Sequence, residues 1–516
     1  MKWRGTSLLG DEVGLTVAAT LGVSASPIAS ALELYVDTQT KQIYAEPGPH
    51  RQLLGNFEKV EKAAADTAET LNKEEIKAIR QNLATKDEEI KALQKQAMAA
   101  SGPDAVQVKM DKKGLQFETQ DKNFKFRLGG RIHADANFSD NDQFVKAGTT
   151  TPEEANDGTE IRRARILFEG TFYQDWNFRT QADFANDNVR MKDLYIKYTG
   201  LDFMNITAGQ QKQNFSRELQ ESSNDLMFTE RSLMNVLNAP VVDRAIGLNF
   251  QSTAERGYYA GLGVYGNSIT PARTSGTEVN NAGDEGWGIS GRAAIAPIEE
   301  ATKVLYFGAA GNYRVPDDSG DVSRAKGLNF KYETTNMSNL DLIDIDIDVE
   351  DVDNIKMVGA EAGGIYGPFS VGAEYTRMWI EQDQNGAAFD NGNNGTLQLE
   401  GWYVDAAWTL TGESRKYKHG KFYKVSPERN FSLKNGGWGA WELATRYSAV
   451  NLDDGAFKGG KISNATVALN WYFNDNFRLM ADYIRAFDIS NPAVTKANGG
   501  DPDDVNSYTL RLQLTY

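Results

Sequence analysis

The stretch FKFRLGGRIHADANF, residues 124–138, decides the fold because its apolar and polar side chains alternate. Successive side chains of a β-strand point to opposite faces, so the stretch predicts a strand with one apolar and one strongly polar face. The same alternation returns at residues 164–172, 176–184, 194–198, 204–208, 246–250, 403–410, 465–472, 477–483 and 508–516. Repeated short strands joined by turns predict an all-β protein, either a soluble sandwich or a transmembrane antiparallel β-barrel.

Three features favour the barrel. Aromatic residues cluster at strand ends, as at Trp176 and Trp471, where membrane barrels carry interfacial girdles. Long stretches rich in Gly, Asn and Asp, such as residues 383–395, alternate with short turns such as residues 474–476. The final strand ends on Tyr516, which resembles the signal that bacterial outer-membrane barrels present to their assembly machinery. We therefore predict a barrel surrounded by the lipid of a bacterial outer membrane.

The amino-terminal part of the chain lacks this alternation. Lys2 and Arg4 precede an apolar stretch at residues 13–28 and a small-residue pattern at residues 29–31, which predicts a secretory signal peptide. The predicted organisation is a signal peptide at 1–31, a linker at 32–55, a coiled-coil helix at 56–100, a second linker at 101–122 and a barrel at 123–516.

A heptad-like spacing marks the predicted helix. Its apolar residues fall mostly three or four positions apart, namely Ile76, Ile79, Leu83, Ile90, Leu93 and Ala97. Isoleucine at both core positions favours an assembly of more than two helices. The helix could instead lie singly against another domain. We expect it in the periplasm, where it could also contact peptidoglycan or another periplasmic partner.

Composition and motifs exclude several classes of protein. The chain carries 55 Lys and Arg against 71 Asp and Glu, a formal net charge of −16, which argues against a nucleic-acid binder. It has no cysteine, so disulfides, thiolate metal sites and cysteine nucleophiles are excluded. The pattern Gly261-Leu-Gly263-Val-Tyr-Gly266 matches a dinucleotide fingerprint, but it lies inside an aromatic strand with no helix predicted to follow. We expect no catalytic residue, metal site or cofactor, and therefore no enzyme.

Arginine and lysine dominate the polar face of the first predicted strands. If the apolar face meets lipid, the polar face points into a lumen, where clustered guanidinium groups attract anions and bind oxyanions through paired hydrogen bonds. The residues on this polar face include Lys125, Arg127, Arg131, Arg163, Arg165, Arg179 and Lys197. The alternative is that these cations pair with acidic neighbours and only keep the interior wet. The candidate acids are Asp135, Glu169, Asp183 and Asp193.

Two further segments bear on a pore. Residues 213–242 interrupt the alternation and are too long for a turn, so a loop that folds inward would narrow a pore and place Arg217 and Arg231 near its constriction. This loop could instead lie outside the barrel or contact another subunit. Residues 341–353 alternate isoleucine with carboxylate and predict a strand with one acidic face. In the lumen that face would disfavour anions, and in an outer loop it would be solvated or bind cations; we favour a solvated outer loop.

Several short motifs resemble the phosphate-selective porin O/P family. They are Phe126-Arg-Leu-Gly-Gly-Arg131, Arg162-Arg163-Ala164 followed by Asp175-Trp176, Lys197-Tyr-Thr-Gly200, Leu410-Thr-Gly-Glu413, Gly439-Ala-Trp-Glu-Leu443 and Asn470-Trp-Tyr472. The resemblance implies a trimeric barrel of about sixteen strands, an inward-folded third loop and arginines that guide oxyanions to a constriction. It places Arg162 and Arg163 at that constriction and Glu230-Arg231 in the folded loop.

The chain departs from the family pattern at two places. Members that bind phosphate have a lysine soon after a Ser-Ser pair in the folded loop, whereas this chain has Ser222-Ser223-Asn224. The family's closely spaced arginines are represented only by three basic residues between 324 and 331, just before the acidic run. A weaker general anion pore, or a pore for another small oxyanion, fits the resemblance equally well.

The sequence therefore predicts a homotrimeric outer-membrane channel that passes small solutes passively and favours small anions such as phosphate. The candidate pore-lining and anion-binding residues are Arg127, Arg131, Arg162, Arg163, Arg165, Arg179, Lys197 and Arg231. Two alternatives stay open. One is a general or cation-preferring porin, and the other is an envelope-tethering structural protein that acts through the coiled coil.

Overall fold

The structure is a computed structural model that describes residues 32–57, 77, 80–93, 102, 105–140, 143–146, 149–185, 189–266, 286–316, 328–348, 351–383, 389 and 395–516. The chain divides into two compact units, Met1–Ser101 and Gly102–Tyr516. The predicted signal peptide lies outside the described residues. No helix in the described ranges is long and apolar enough to cross a bilayer.

The first unit contains a small antiparallel sheet where the sequence predicted a linker. Its three strands are Leu32–Asp37, Ile43–Tyr44 and Arg51–Phe57, with the first strand in the centre. The guanidinium of Arg51 lies 3.5 Å from the centre of the Tyr44 ring, so a cation–π contact joins the two outer strands across the sheet. The segment at 32–55 is therefore folded rather than a simple linker.

Residues 80–93 of the same unit form a helix. Its apolar side chains at Leu83, Ile90 and Leu93 are 59, 50 and 64% exposed. Most of the remaining predicted coiled-coil segment lies outside the described residues. The described helix covers part of the predicted segment, and the coiled coil itself stays a prediction.

Sixteen strands of the second unit pair in antiparallel order and close into a barrel. In chain order they are β1 Phe124–Ser139, β2 Gly158–Phe172, β3 Trp176–Asp183, β4 Arg190–Tyr198, β5 Met204–Lys212, β6 Arg244–Ser252, β7 Tyr258–Tyr265, β8 Trp287–Glu299, β9 Lys303–Val315, β10 Val352–Tyr366, β11 Phe369–Gln382, β12 Thr396–Thr409, β13 Ala440–Asp454, β14 Phe457–Tyr472, β15 Phe477–Ser490 and β16 Asp504–Thr515. Each strand pairs with the next, and β16 pairs back onto β1. The predicted antiparallel barrel is confirmed.

A hairpin completes the barrel at this seam. Its strands are Val106–Asp111 and Gly114–Thr119. Pairing between β16 and β1 stops at Arg131, and residues 115–118 of the hairpin pair with the part of β1 that precedes it. A bare strand edge would expose unpaired N–H and C=O groups. Part of the predicted linker at 101–122 therefore belongs to the barrel sheet.

Outward-facing side chains of the strands are apolar and exposed, as the alternation predicted. On β12, Val404 and Trp408 are 49 and 46% exposed, whereas Tyr403 on the opposite, inward face is 1% exposed. Aromatic rings stack near one end of the barrel, where Trp441 and Trp471 lie 4.7 Å apart. An apolar exterior with aromatic residues near its edge is typical of a barrel in lipid.

The two ends of the barrel carry different connections. The end that bears Tyr516 is called the terminal end, and the turns there include residues 173–175 and 367–368. The opposite end is called the loop end. There an outer hairpin is formed by Leu328–Tyr332 and Ile343–Ile347, and a small sheet by Gln143–Lys146, Glu153–Glu154 and Val494–Lys496.

The connection between β5 and β6, residues 213–243, lies inside the barrel and is called the inner loop. Its helices are α1 Arg217–Gln220 and α2 Met234–Val242. Inward-facing carboxylates of distant strands hold its backbone. Glu374 accepts a hydrogen bond from the N–H of Arg217 at 2.9 Å, and Asp482 accepts one from the N–H of Thr229 at 2.7 Å.

Apolar side chains fill one side of the lumen near the loop end. Inward-facing residues of β10–β16 pack there against α2 and the outer hairpin. Members that are at most 1% exposed include Leu237, Phe330, Ile343, Ile380 and Leu399. Burying each such side chain stabilises the fold by roughly 1.5–3 kcal/mol. The open space of the lumen is left beside β1–β6.

The acidic run at 341–353 contributes one strand to the outer hairpin. Ile343 and Ile347 face the apolar cluster, whereas Asp344 and Asp346 are exposed. The acidic face is therefore solvated in an outer loop, which agrees with the interpretation favoured from the sequence.

A second connection also enters the barrel, from the terminal end. It joins β12 to β13 through residues 410–439 and is called the basal loop. Its strands are Lys416–Lys418 and Lys421–Tyr423. Phe422 is 2% exposed and belongs to an apolar cluster with Tyr259 and Tyr306 of the barrel wall. The sequence analysis did not predict this insertion.

Candidate functional site

Two cavities meet at the inner loop. The larger, of about 1030 Å³, runs beside β1–β6 towards the terminal end, and the smaller, of about 400 Å³, lies next to the outer hairpin. Both cavities are lined by Arg162, Arg163, Arg231, Asn235 and Ala239. These five residues therefore lie where the two cavities adjoin, and we call this position the constriction.

The larger cavity is strongly basic. Its described lining holds thirteen Lys and Arg side chains against six Asp and Glu side chains. All eight residues predicted from the sequence line it, namely Arg127, Arg131, Arg162, Arg163, Arg165, Arg179, Lys197 and Arg231. Five further lining cations were missed, namely Arg190, Lys192, Lys212, Arg244 and Lys421. The charge of this cavity is opposite to the net charge of −16 carried by the chain.

Two β-bulges turn additional cations into the cavity. The pairing of β2 with β1 skips Arg162, so that Arg162 and Arg163 both face the cavity. The pairing of β4 with β3 skips Lys192, so that Lys192 and Asp193 both face it. A bulge inserts one extra residue and redirects its side chain. Strict alternation would have placed Arg162 and Lys192 on the outer face.

Several predicted arginines have carboxylate partners. Arg127 and Arg179 donate to the two oxygens of Glu169 at 2.8 and 2.6 Å. Arg165 donates to Asp183 at 2.7 Å. These pairs agree with the alternative in which acidic neighbours neutralise part of the lumen charge.

Glu230 of the inner loop binds three arginines at the constriction. Arg162 donates to it at 2.9 Å, Arg511 donates at 3.0 Å and Arg163 lies 3.5 Å away. Burial alone raises the pKa of the Glu230 carboxyl, but the three guanidinium charges outweigh burial and hold that pKa well below its usual range. Glu230 therefore stays ionised and fixes the arginines around the constriction.

The remaining lining cations have no such partner among the described residues. Within the described part of the chain, seven of the thirteen have no carboxylate oxygen within 4.0 Å, namely Arg131, Arg190, Lys192, Lys197, Lys212, Arg231 and Lys421. Arg131 instead donates to the hydroxyls of Ser222 and Ser223 at 3.2 and 2.8 Å. Positive charge thus remains available to a solute along the cavity.

The sequence analysis expected Arg217 near the constriction, but Arg217 does not line it. Its side chain is 2% exposed and donates to Glu221 at 3.0 Å and to the hydroxyl of Tyr403 at 2.5 Å. Glu374 and Asp405 lie 3.6 and 3.7 Å away. Arg217 therefore fastens the inner loop to β11 and β12, because the carboxylates that attract it lie on the far wall.

The basal loop contacts the inner loop from the side of the terminal end. The backbone N–H of Phe422 donates to Glu221 at 3.0 Å, and the N–H of Lys424 donates to Asp225 at 3.3 Å. Lys421, which directly precedes Phe422, lines the cavity. Burial, followed by the charge of Arg292, lowers the pKa of Lys421 to about 8.

The described residues contain no group of three or more His, Asp or Glu side chains that could hold a metal ion. The glycine pattern that matched a dinucleotide fingerprint begins inside strand β7, where Gly261 and Gly263 pair with β8.

Comparisons with known proteins identify relatives of this chain. The family described as phosphate-selective porin O and P matches residues 126–516. Porin O of Pseudomonas aeruginosa is 28% identical over 434 residues, which cover 78% of this chain and 91% of that protein. Two solved structures are similar at 12% identity and a TM-score of 0.46. The anion-selective porin from Comamonas acidovorans is matched over 76% of this chain and 100% of that chain, and the outer membrane channel DcaP of Acinetobacter baumannii over 78% and 99%.

Proposed function

Because this chain belongs to the phosphate-selective porin O and P family, we propose that its basic cavity carries small anions passively across the outer membrane. The protein is an outer-membrane channel, and its known relatives are channels rather than enzymes. The proposal concerns which residues select the solute. Arg162, Arg163 and Arg231 act at the constriction, and the other predicted cations attract anions along the cavity.

The charge of the cavity carries this proposal. Thirteen cations face six carboxylates within the described lining, and seven of those cations have no carboxylate partner. Charges that line a narrow, low-dielectric passage raise the local concentration of ions of opposite sign. A cation-preferring pore would need the opposite balance. The exposed carboxylates of the outer hairpin do not change this balance, because they lie outside the larger cavity.

The test is the zero-current potential of the purified channel in a planar bilayer under a potassium chloride gradient. We expect the sign that corresponds to chloride permeating faster than potassium. Arg231→Gln should reduce this potential, because it removes an unpaired charge at the constriction. A potential of the opposite sign in the wild-type channel would overturn the proposal and leave a general or cation-preferring porin.

We also propose that three copies assemble and that the amino-terminal helix contributes to assembly in the periplasm. The exposure of Leu83, Ile90 and Leu93 supports this, since an apolar stripe on a helix is stabilised when it packs against other helices. Deleting residues 56–100 should weaken the trimer on semi-native gels and leave single-channel conductance unchanged. Loss of envelope integrity in the deletion strain, with trimers intact, would instead indicate a tether to peptidoglycan or another periplasmic partner.

A further inference from the structure

The amino-terminal sheet, residues 32–57, is very small for a folded structure. Structures of fewer than about 40 residues usually need disulfides, a bound metal or association with other chains. The chain has no cysteine, so a disulfide is excluded. The described residues contain no group of side chains that could hold a metal ion. We therefore expect this sheet to be stabilised by packing against another surface.

The strand pairing separates the side chains of this sheet into two faces. Val36 pairs with Ile43, whereas Tyr35 pairs with Tyr44 on one side and with Leu53 on the other. Directly paired residues point to the same face, and successive residues of a strand point to opposite faces. Val36 and Ile43 therefore lie on one face, and the two tyrosines and Leu53 lie on the other.

The face that holds Ile43 is called the aliphatic face. Its described members are Leu34, Val36, Ile43 and Gln52, and none of them is charged. Ile43 is 62% exposed, and Leu34 and Val36 are partly exposed. Removing aliphatic side chains from water is favourable, so an exposed face of this composition is suited to a contact with another apolar surface.

The opposite face, called the tyrosine face, is suited to water. Asp37 lies opposite Arg51 in the strand pairing, and the guanidinium of Arg51 lies 3.5 Å from the centre of the Tyr44 ring. The hydroxyl of Tyr35 donates to a carboxylate oxygen of Glu33 at 2.6 Å. Charged side chains thus accompany both rings on this face. The aliphatic face is therefore the one that gains more from being covered.

The position of the sheet in the chain indicates what covers the aliphatic face. The sheet ends at Phe57, and the helix at residues 80–93, whose apolar side chains are exposed, follows it in the same compact unit. If the helices of three copies pack together, the three sheets are held near one another. Segments linked in this way reach an effective concentration of about millimolar order, at which even a weak contact forms.

We infer that the aliphatic faces of the amino-terminal sheets of three copies pack against one another and extend the contact between subunits in the periplasm. This inference rests on the proposed assembly of three copies, and it assigns a second contact surface to that assembly. The partner is another copy of this chain. The competing arrangements are cover by another part of the same chain and cover by a different periplasmic partner.

Single cysteines in the full-length channel test the inference, because the chain has no cysteine of its own. Ile43→Cys places a thiol on the aliphatic face. Leu53→Cys is the matched control, since Leu53 is also apolar and is 50% exposed, but lies on the tyrosine face. Gln52→Cys provides a second position on the aliphatic face. Semi-native gels of each purified variant establish that the trimer is intact before the thiols are oxidised.

Mild oxidation should link two copies of Ile43→Cys or of Gln52→Cys into a disulfide-bonded dimer on non-reducing gels. Such a bond requires Cα atoms within about 7 Å, so the yield should be at least about tenfold higher than for Leu53→Cys. Equal yields from Leu53→Cys and the better of the two aliphatic positions would overturn the inference, because the links would then come from random encounters of the sheets.

Intact trimers in which neither Ile43→Cys nor Gln52→Cys forms linked dimers would also overturn the inference. The aliphatic face would then be covered by the same chain or by a different partner, and the proposed assembly would stand. A wild-type channel that migrates as a monomer in semi-native gels would instead overturn the proposed assembly itself. The gels and the oxidation therefore distinguish failure of the assembly from failure of this contact surface.

Discussion

The interior of the barrel has two walls, and the charged side chains of the two walls have different roles. The wall of β1–β6 lines the larger cavity, and several of its cations have no carboxylate partner in the part of the chain that the structure describes. The wall of β10–β16 is covered by the inner loop, the basal loop and the outer hairpin, and its inward carboxylates bind the inner loop and the basal loop. The same alternating pattern therefore produces a solute path on one wall and an anchoring surface on the other. Whether a loop covers the wall decides which role its charges take.

The two walls depend on each other through the inner loop. Glu374 and Asp482 of the far wall hold its backbone, and Glu442 of the same wall binds Arg415 of the basal loop at 2.8 Å. Held in this way, the inner loop presents Glu230 and Arg231 to the basic wall. Acidic residues on the far wall thus set the position of the constriction without touching the solute.

Arg217→Ala should have the largest effect, because it removes the main charged link between the inner loop and the far wall. Truncation leaves buried carboxylates without their partner, and breaking a buried ion pair of this kind costs roughly 3–5 kcal/mol. We expect a lower thermal transition in semi-native gels and a larger, noisier single-channel conductance. Arg377→Ala is the control, since Arg377 and Glu400 form an exposed pair 3.7 Å apart. Wild-type conductance in Arg217→Ala would show that the two walls are independent.

Glu230→Gln should have an intermediate effect, because it removes the carboxylate that neutralises the constriction arginines. A unit charge about 6 Å from the path interacts by roughly 1 kcal/mol at an intermediate dielectric constant, or about a fivefold change in permeability ratio. We expect a stronger preference for chloride, measured as a more negative or more positive zero-current potential according to the direction of the gradient. Glu255→Gln removes the same charge from the connection between β6 and β7 at the terminal end, away from the constriction, and should change the ratio much less.

The pH dependence of the Glu230 effect follows from the sign of its shift. Its pKa is held well below the usual value, so the ion pairs at the constriction persist above that depressed pKa and weaken only as the pH falls through it. Selectivity in the wild-type channel should therefore change little when the pH is lowered from 7 towards the normal pKa of glutamate. A transition within that range would contradict the assignment.

Alternation in the sequence predicted ten of the sixteen barrel strands and six of the thirteen cations that line the larger cavity, and the reasons are local. A period of two assigns Arg131, Arg163 and Arg179 to the lumen because pleating alone sets their direction. Arg162 was included only through the family resemblance, and Lys192 was missed. In both cases a β-bulge turns the side chain to the opposite face of the sheet, and the alternation of the sequence does not reveal the bulge.

The anchoring wall was not predictable in the same way. Arg217 was placed at the constriction because it lies in the inner loop, but its partners Glu374 and Asp405 are more than 150 residues away along the chain. The basal loop shows no alternation, and nothing in its composition indicates that it enters the barrel. Contacts of this kind depend on which strands face each other after closure, and that information is not local.

Lys421 gives the smallest expected effect and tests whether the two walls are separate. It belongs to the basal loop, which covers the far wall, yet it faces the solute path. Its pKa of about 8 means that it is about nine-tenths charged at pH 7 and about one-tenth charged at pH 9. Raising the pH through this range should reduce anion selectivity by less than about twofold, since one charge among thirteen is lost. Lys421→Met should show the reduced selectivity already at pH 7 and a flatter profile.

The direction of this dependence separates Lys421 from the arginines of the basic wall. Arginine remains charged across the whole range, so any loss of selectivity between pH 7 and 9 must come from lysine. If Lys421→Met keeps the full pH dependence of the wild-type channel, the titrating group lies on the basic wall itself. The basal loop would then support the inner loop without adding charge to the path, and covering and conducting surfaces would be fully separate.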